Sequence, residues 1–169
     1  MQIAFGVALL LLACAVVLLF AMFGELAAKV GPALDGAASH VGPLDGAKIG
    51  AVPSSWPEQL DQVQTADHTL LLALSTSCST CQKVAEQVSA QDRPGYVIAL
   101  ACPDQGTGAE FIRAHGLAGL PYYLDPAGEW LRTELGVQES PASLVFQHGQ
   151  LVSARVFTDI RALATTNAG

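Results

Sequence analysis

The sequence predicts an α/β domain, a central mixed sheet flanked by helices, joined to a single N-terminal transmembrane helix. Three observations lead there. Thr69 to Leu74 and Tyr96 to Ala101 are short runs, apolar almost throughout, of the kind that forms strands buried on both faces of a sheet. Between them, Gln82 to Ala90 repeats its apolar side chains with helical spacing, so a βαβ unit with a right-handed crossover is the expected topology. At the start of the chain, Ile3 to Phe23 is an almost unbroken apolar run without a charge.

Composition narrows the classes of function. The chain has 169 residues, room for one ordinary domain and an appendage. Its hydrophobic fraction of 51% is high for a small soluble protein because the excess is concentrated at the start. The net charge is −7, and the 8 lysines and arginines are scattered. Phosphate binding draws its affinity from clustered cations, so no nucleic-acid partner is expected. Four cysteines, one of them inside the apolar run, suit a redox or metal pair plus isolated thiols better than a disulfide framework.

A helix needs about 20 apolar residues to cross a hydrocarbon core of about 30 Å, and Ile3 to Phe23 supplies them. Residues 1–24 therefore read as a retained membrane anchor. A cleaved signal peptide would carry a basic start, a shorter apolar stretch and a small-x-small cleavage site, none of which stands out here. Leu11-Leu12-Ala13-Cys14 superficially resembles a lipidation site, but no basic residue precedes it and the apolar run continues past Cys14. Orientation is poorly specified, because only Lys29 lies close to the span. Residues 25–55, punctuated by Gly31-Pro32, Gly42-Pro43, Gly46, Gly50 and Pro53 without a sustained period, read as a loosely packed juxtamembrane linker.

Residues 56–169 read as the folded domain. Glu58 to Val63 suggests a short helix with Leu60 and Val63 facing inward. After the βαβ unit, Ala109 to His115 reads as a helix burying Phe111 and Ile112, stopped by Gly116. Pro121 to Leu124 is a short strand, Asp125-Pro126-Ala127-Gly128 a turn by composition, and Glu129 to Leu135 a turn or two of helix closed by Gly136. Ala142 to Phe146 and Leu151 to Val156 alternate as an antiparallel hairpin, with Gly149 free to supply positive φ. Asp159 to Ala164 is a last short helix.

The chemistry centres on Ser77-Cys78-Ser79-Thr80-Cys81, where the first buried strand gives way to a helix. In the first turn of a helix, residues i and i+3 share a face, so the two sulfurs can close a small disulfide ring. The helix N-terminus favours a thiolate at Cys78. A structural disulfide, two buried thiols or a thiolate metal site would use the same residues. Zinc, however, usually takes four ligands, and there is no second C-x-x-C and no paired histidine, so neither a metal nor another cofactor is expected. Cys102, at the carboxyl end of the second strand, reads as a small buried thiol, with a third redox thiol as the sharper alternative. His40, His68, His115 and His148 are scattered and read as surface residues. Tyr122 and Tyr123 read as core and face residues of a short strand. Gly106-Thr107-Gly108 gives only a weak anion-site signal without a P-loop lysine.

The order of elements resembles the thioredoxin-like fold. Gly116 to Gly128, Leu135-Gly136-Val137 and Ser140 to Phe146 are similar to the membrane-anchored thiol:disulfide interchange proteins of the TlpA type, and with the anchor and glycine-rich linker to the MauD-like, methylamine-utilisation accessory branch. That resemblance implies catalytic roles for Cys78, the exposed nucleophile, and for Cys81, the resolving thiol. It implies a cis-proline at Pro141 opposite the pair, and substrate binding by Ser140 and Pro141 together with Ser77, Ser79 and Thr80 around the sulfur. Ser77 and Thr80 replace a tryptophan and a proline common in the family, and no acidic residue occupies the strand Thr69 to Leu74, so the direction of electron flow is open.

The expected function is a membrane-tethered protein thiol:disulfide oxidoreductase. It would act outside the cytoplasmic membrane on cysteine-containing client proteins, served by a membrane electron donor or acceptor, in the maturation of a metalloenzyme or cytochrome. The rivals are a redox-inactive adaptor with the same fold and a thiolate metallochaperone.

Overall fold

The computed structural model describes residues 41–91 and 95–166. The expected membrane span, Cys14, His40 and the first part of the linker lie outside these residues. Among the described residues no helix is long and apolar enough to cross a membrane.

In chain order the elements are β1 (Val41–Pro43), a 3-10 turn (Glu58–Leu60) leading into α1 (Asp61–Thr65), β2 (Thr69–Ser75), α2 (Ser79–Ser89) and β3 (Tyr96–Cys102). There follow α3 (Gln105–Ala114), β4 (Tyr122–Pro126), α4 (Glu129–Leu135), β5 (Ala142–Gln147), β6 (Gln150–Phe157) and α5 (Ile160–Thr166). The strands make one six-stranded sheet in the order β1-β6-β5-β2-β3-β4. β2, β3 and β4 are parallel, with Leu72 opposite Ile98 and Leu100 opposite Leu124. β5 runs antiparallel to both β2 and β6, and β1 antiparallel to β6.

Both expected core strands are buried on two faces, and their alternation divides the interior. Leu72 and Leu74 of β2 and Ile98 and Leu100 of β3 pack with Val84, Ala85 and Val88 of α2, Phe111 and Ile112 of α3, and Ile160 and Leu163 of α5. Leu71, Ala73, Val97 and Ala99 face the other way, onto Val63 of α1, Trp130, Leu131 and Leu135 of α4, and Phe146. Two successive right-handed crossovers advancing in one direction place their helices on the same side of a sheet, which is where α2 and α3 lie.

Four expectations are corrected. Residues 41–55 do not hang as a tether: β1 pairs with β6, Leu44 is buried, and Gly50 and Ala51 exchange hydrogen bonds with Leu151 at 2.7 and 2.9 Å. Glycine and proline content signalled irregular backbone there, and irregular backbone can still be packed. α2 runs from Ser79 to Ser89, starting three residues before the expected Gln82, so its first turn carries Cys81 and is capped by Cys78, where the spacing of the pair placed them. α3 starts at Gln105, capped by the Asp104 carboxylate accepting Thr107 N–H at 2.9 Å, so Gly106 and Gly108 lie inside the helix. Asp125 and Pro126 belong to β4, which leaves the turn to Ala127 and Gly128, both with positive φ. The β5–β6 hairpin turns on His148 and Gly149, φ 49° and 74°, the conformation of a two-residue turn matched to strand twist.

Candidate active site

β2 carries the chain to the carboxyl edge of the sheet, where Thr76 N–H donates to the Ala101 carbonyl at 3.1 Å and Cys78 N–H to the Ser75 carbonyl at 3.3 Å. This turn sets Cys78 as the N-cap of α2 with extended backbone, φ −102° and ψ 115°. An N-cap side chain normally offers an oxygen to the first turn. Here the Cys78 sulfur fills that role, accepting Cys81 N–H at 3.1 Å. The sulfur thus sits where the unpaired N–H groups of a helix favour negative charge.

Cys81, on the inner face of the first turn, is fully buried among the apolar residues of β2 and α2. Burial is the main cause that pushes its thiol up to about 12, and the neighbouring Cys78 adds to it. Hydrogen bonds from the Ser140 side chain and the Ser75 backbone pull in the opposite direction. Cys78 is only partly buried, and both cysteines are free thiols. The pair is therefore asymmetric: one sulfur a partner can reach, and one held protonated in the interior.

Facing the pair is the loop that enters β5. Its Ser140–Pro141 peptide is cis, as expected. The Cys78 thiol donates to the Ser140 carbonyl at 3.5 Å, and the buried Pro141 gives its own carbonyl to Phe157 N–H at 3.3 Å, which ties the loop to the end of β6. Three sequence-predicted residues, Cys78, Cys81 and Ser140, are thus brought together. Pro141 lies behind them, Ser77 and Ser79 are exposed on either side of Cys78, and Thr80 is half-buried in the first turn of α2.

Residues not singled out by the sequence complete the surroundings. A cavity of about 290 Å³ adjoins the loop, lined by Ser75, Leu131, Arg132, Val137, Glu139 and Ser140. Ser75 Oγ lies 3.0 Å from Ser77 Oγ. Ser75 falls one residue beyond the strand expected from hydropathy, and only the polar run Ser75-Thr76-Ser77 before the pair could have drawn attention to it. Cys102 is buried beneath α3 on the same side of the sheet as Cys81, its thiol donating to the Asp125 carbonyl at 3.9 Å. Burial pushes that thiol up, and the charges of Asp104 and Asp125 add to the effect.

Asp125 is the one buried acid among the described residues. Its carboxylate is committed to the start of α4, accepting Trp130 N–H at 3.0 Å and Leu131 N–H at 2.9 Å. The groups that act on Cys81 are Cys78, Ser140 and Ser75, with no carboxylate among them. His68 and His148 are exposed, the latter 3.5 Å from Asp67, and His115 lies 3.9 Å from Glu86. Among the described residues no three His, Cys, Asp or Glu side chains gather to hold a metal ion.

A mixed sheet with parallel β2, β3 and β4 beside an antiparallel hairpin, with a C-x-x-C pair where β2 passes into α2, is the thioredoxin-like fold. The chain superposes on a candidate protein disulfide isomerase from Bacteroides thetaiotaomicron with a TM-score of 0.51 at 14% identity, over 74% of this chain and 89% of that one. At that identity the likeness is one of fold. A candidate thiol:disulfide interchange protein DsbE from Chlorobium tepidum has a TM-score of 0.49 at 19% identity, over 73% and 94% of the two chains. StoA from Bacillus subtilis has a TM-score of 0.47 at 18% identity, over 61% and 82%. No family model and no curated protein sequence matches the chain.

Proposed function

We propose that this chain is a membrane-tethered thiol:disulfide oxidoreductase of the TlpA/MauD-like type. It exchanges disulfides with cysteine-containing proteins outside the cytoplasmic membrane and passes its electrons to or from a membrane partner. The observation that carries the reading is the Cys78 sulfur: reachable, at a helix N-terminus, and against the Ser140 carbonyl beside a cis-proline. A thiolate there attacks a client disulfide to form a mixed disulfide, and Cys81, one turn below, resolves it. Ser140, Pro141 and the exposed Ser77 and Ser79 form the surface on which an extended client segment rests, with Thr80 beneath it. The apolar run Ile3 to Phe23 supports the tether, and maturation of a secreted metalloenzyme or cytochrome is the setting that the tether and dithiol suit.

The test is the Cys78–Cys81 equilibrium in glutathione and dithiothreitol buffers, together with insulin-reduction turnover. A disulfide that resists reduction below about −300 mV and turns nothing over would sink the enzyme reading. Cys81→Ser should leave clients covalently attached to Cys78, which names them. An alkaline-phosphatase fusion after Gly36, upstream of β1, reports which side of the membrane the domain occupies; an inactive fusion contradicts the extracytoplasmic assignment.

A further inference from the structure

We propose that residues 44–55, the segment that follows β1, brace the cleft that receives a client, with Lys48 and Glu134 as positioning residues for exchange with peptide disulfides. The inference rests on the exchange reaction proposed above and deepens it by naming what shapes its client site. The cavity beside the cysteine pair has two walls. One is the end of β2 with Ser75, whose carbonyl receives Cys78 N–H at 3.3 Å. The other is α4 and the loop after it, with Leu131, Arg132, Val137, Glu139 and Ser140, and here the Ser140 carbonyl receives the Cys78 thiol at 3.5 Å. A client segment joined to Cys78 meets this second wall at Ser140, beside the reacting sulfur.

That wall is a weak element by itself. α4 has 7 residues, and an isolated helix shorter than about 12 is marginal in water. The Asp125 carboxylate fixes its start. Its far end is fixed from residues 44–55. Carbonyls in the last turn of a helix lack a partner within the helix. Lys48 supplies two, its backbone N–H donating to the Leu135 carbonyl at 2.9 Å and its ammonium to the Thr133 carbonyl, at the end where the helix dipole favours a cation. Ser54 N–H and Oγ donate to the Glu134 carboxylate at 2.7 and 2.9 Å, and Trp130 Nε1 donates to the Ser55 carbonyl at 2.8 Å. Gly136 follows with φ 72°, so close to the Gly46 carbonyl that any Cβ would collide with it. The next residue, Val137, is buried in one cluster with Leu44, and the chain then runs through Gln138 and Glu139 to Ser140. α4 thus touches the cleft through Leu131 and Arg132, and residues 44–55 through Trp130, Thr133, Glu134 and Leu135. Loosening those ties releases the wall, and the Ser140 carbonyl with it.

The experiment measures the rate constants for oxidation of the reduced full-length protein, in detergent, by insulin and by hydroxyethyl disulfide, with samples quenched in acid and read by mass. In either reaction the added disulfide is reduced to two thiols as Cys78 and Cys81 close to a disulfide. Insulin presents peptide chain to the wall, whereas the small disulfide needs only the sulfur. Lys48→Met combined with Glu134→Ala should slow the insulin reaction roughly tenfold, each single substitution roughly threefold, and the small disulfide should stay within about twofold throughout. Lys48→Arg and Glu134→Gln, which keep a donor and an acceptor in place, should restore the insulin rate. Unchanged insulin rates in the folded variants, an equal loss with both disulfides, failure of the conservative pair to rescue, or a wild type that reacts with the small disulfide alone overturns the brace while leaving thiol exchange standing. A wild type that reacts with neither disulfide overturns both.

Discussion

Alkaline titration of the dithiol protein reads the surroundings of Cys81. Its thiol is pushed from an ordinary value of 9.0 up to about 12, chiefly by burial. Between those values the folded protein keeps a proton that the unfolded chain releases. Stability is therefore fully present below the unfolded value and is lost as the pH climbs toward the folded one. At about pH 10.5 the two states differ by about one and a half proton-binding units on the pH axis, which at about 1.36 kcal/mol per unit is about 2 kcal/mol. Cys102 and Tyr123, also raised mainly by burial, weaken the fold in the same direction, but they remain in a Cys81→Ser variant and cancel in the comparison. Urea unfolding of reduced wild type and Cys81→Ser in detergent, at about pH 8 and about pH 10.5, should show the wild type losing about 2 kcal/mol more than the variant. A difference under about 0.5 kcal/mol would refute the argument that burial holds this thiol protonated.

Native alkylation with iodoacetamide at about pH 8 should label Cys78 and spare Cys81 and Cys102 until the protein is unfolded, because both are buried and Cys81, held near 12, is ionised to only about one part in 10⁴ there; peptide mapping checks it. Asp125→Ala strips the partners from Trp130 N–H and Leu131 N–H, and should lower stability by about 1–3 kcal/mol in urea unfolding, with Asp125→Asn retaining part of it. Gly108→Ala sets a methyl 2.9 Å from the Cys102 sulfur and 3.0 Å from Leu124. It should cost about 1–3 kcal/mol, and Cys102→Ala in the same chain should recover part of that, read as a non-additive double-mutant cycle.

Much of the frame is legible in residue order because burial on both faces demands it. Leu70 to Leu74 and Tyr96 to Ala101 admit no polar side chain, and Val84, Ala85 and Val88 recur on one side of a helix, so strand, helix, strand follows from hydropathy period alone. Boundaries are less legible, because capping replaces hydropathy as the deciding force at a helix end. Asp104 starts α3 four residues before its apolar stripe begins, and the Cys78 sulfur starts α2 in the place of an oxygen. The packed segment 41–55 was hidden for a related reason: its hydrogen bonds run to Leu151, Ala154 and Leu135, far away in the chain, and leave no local period.

The C-x-x-C spacing by itself determined that two sulfurs share the first turn of a helix, and the run of apolar residues on either side determined that this helix leaves a buried strand. Which sulfur is open and which is sealed could be decided only by the sheet and helix packed around them, since burial depends on neighbours distant in sequence. The partner across the site is also a tertiary matter. Ser140 lies 62 residues from Cys78 along the chain, and its carbonyl reaches the sulfur only because β5 pairs beside β2. Spacing names the two sulfurs, whereas strand pairing supplies the groups that orient and shield them.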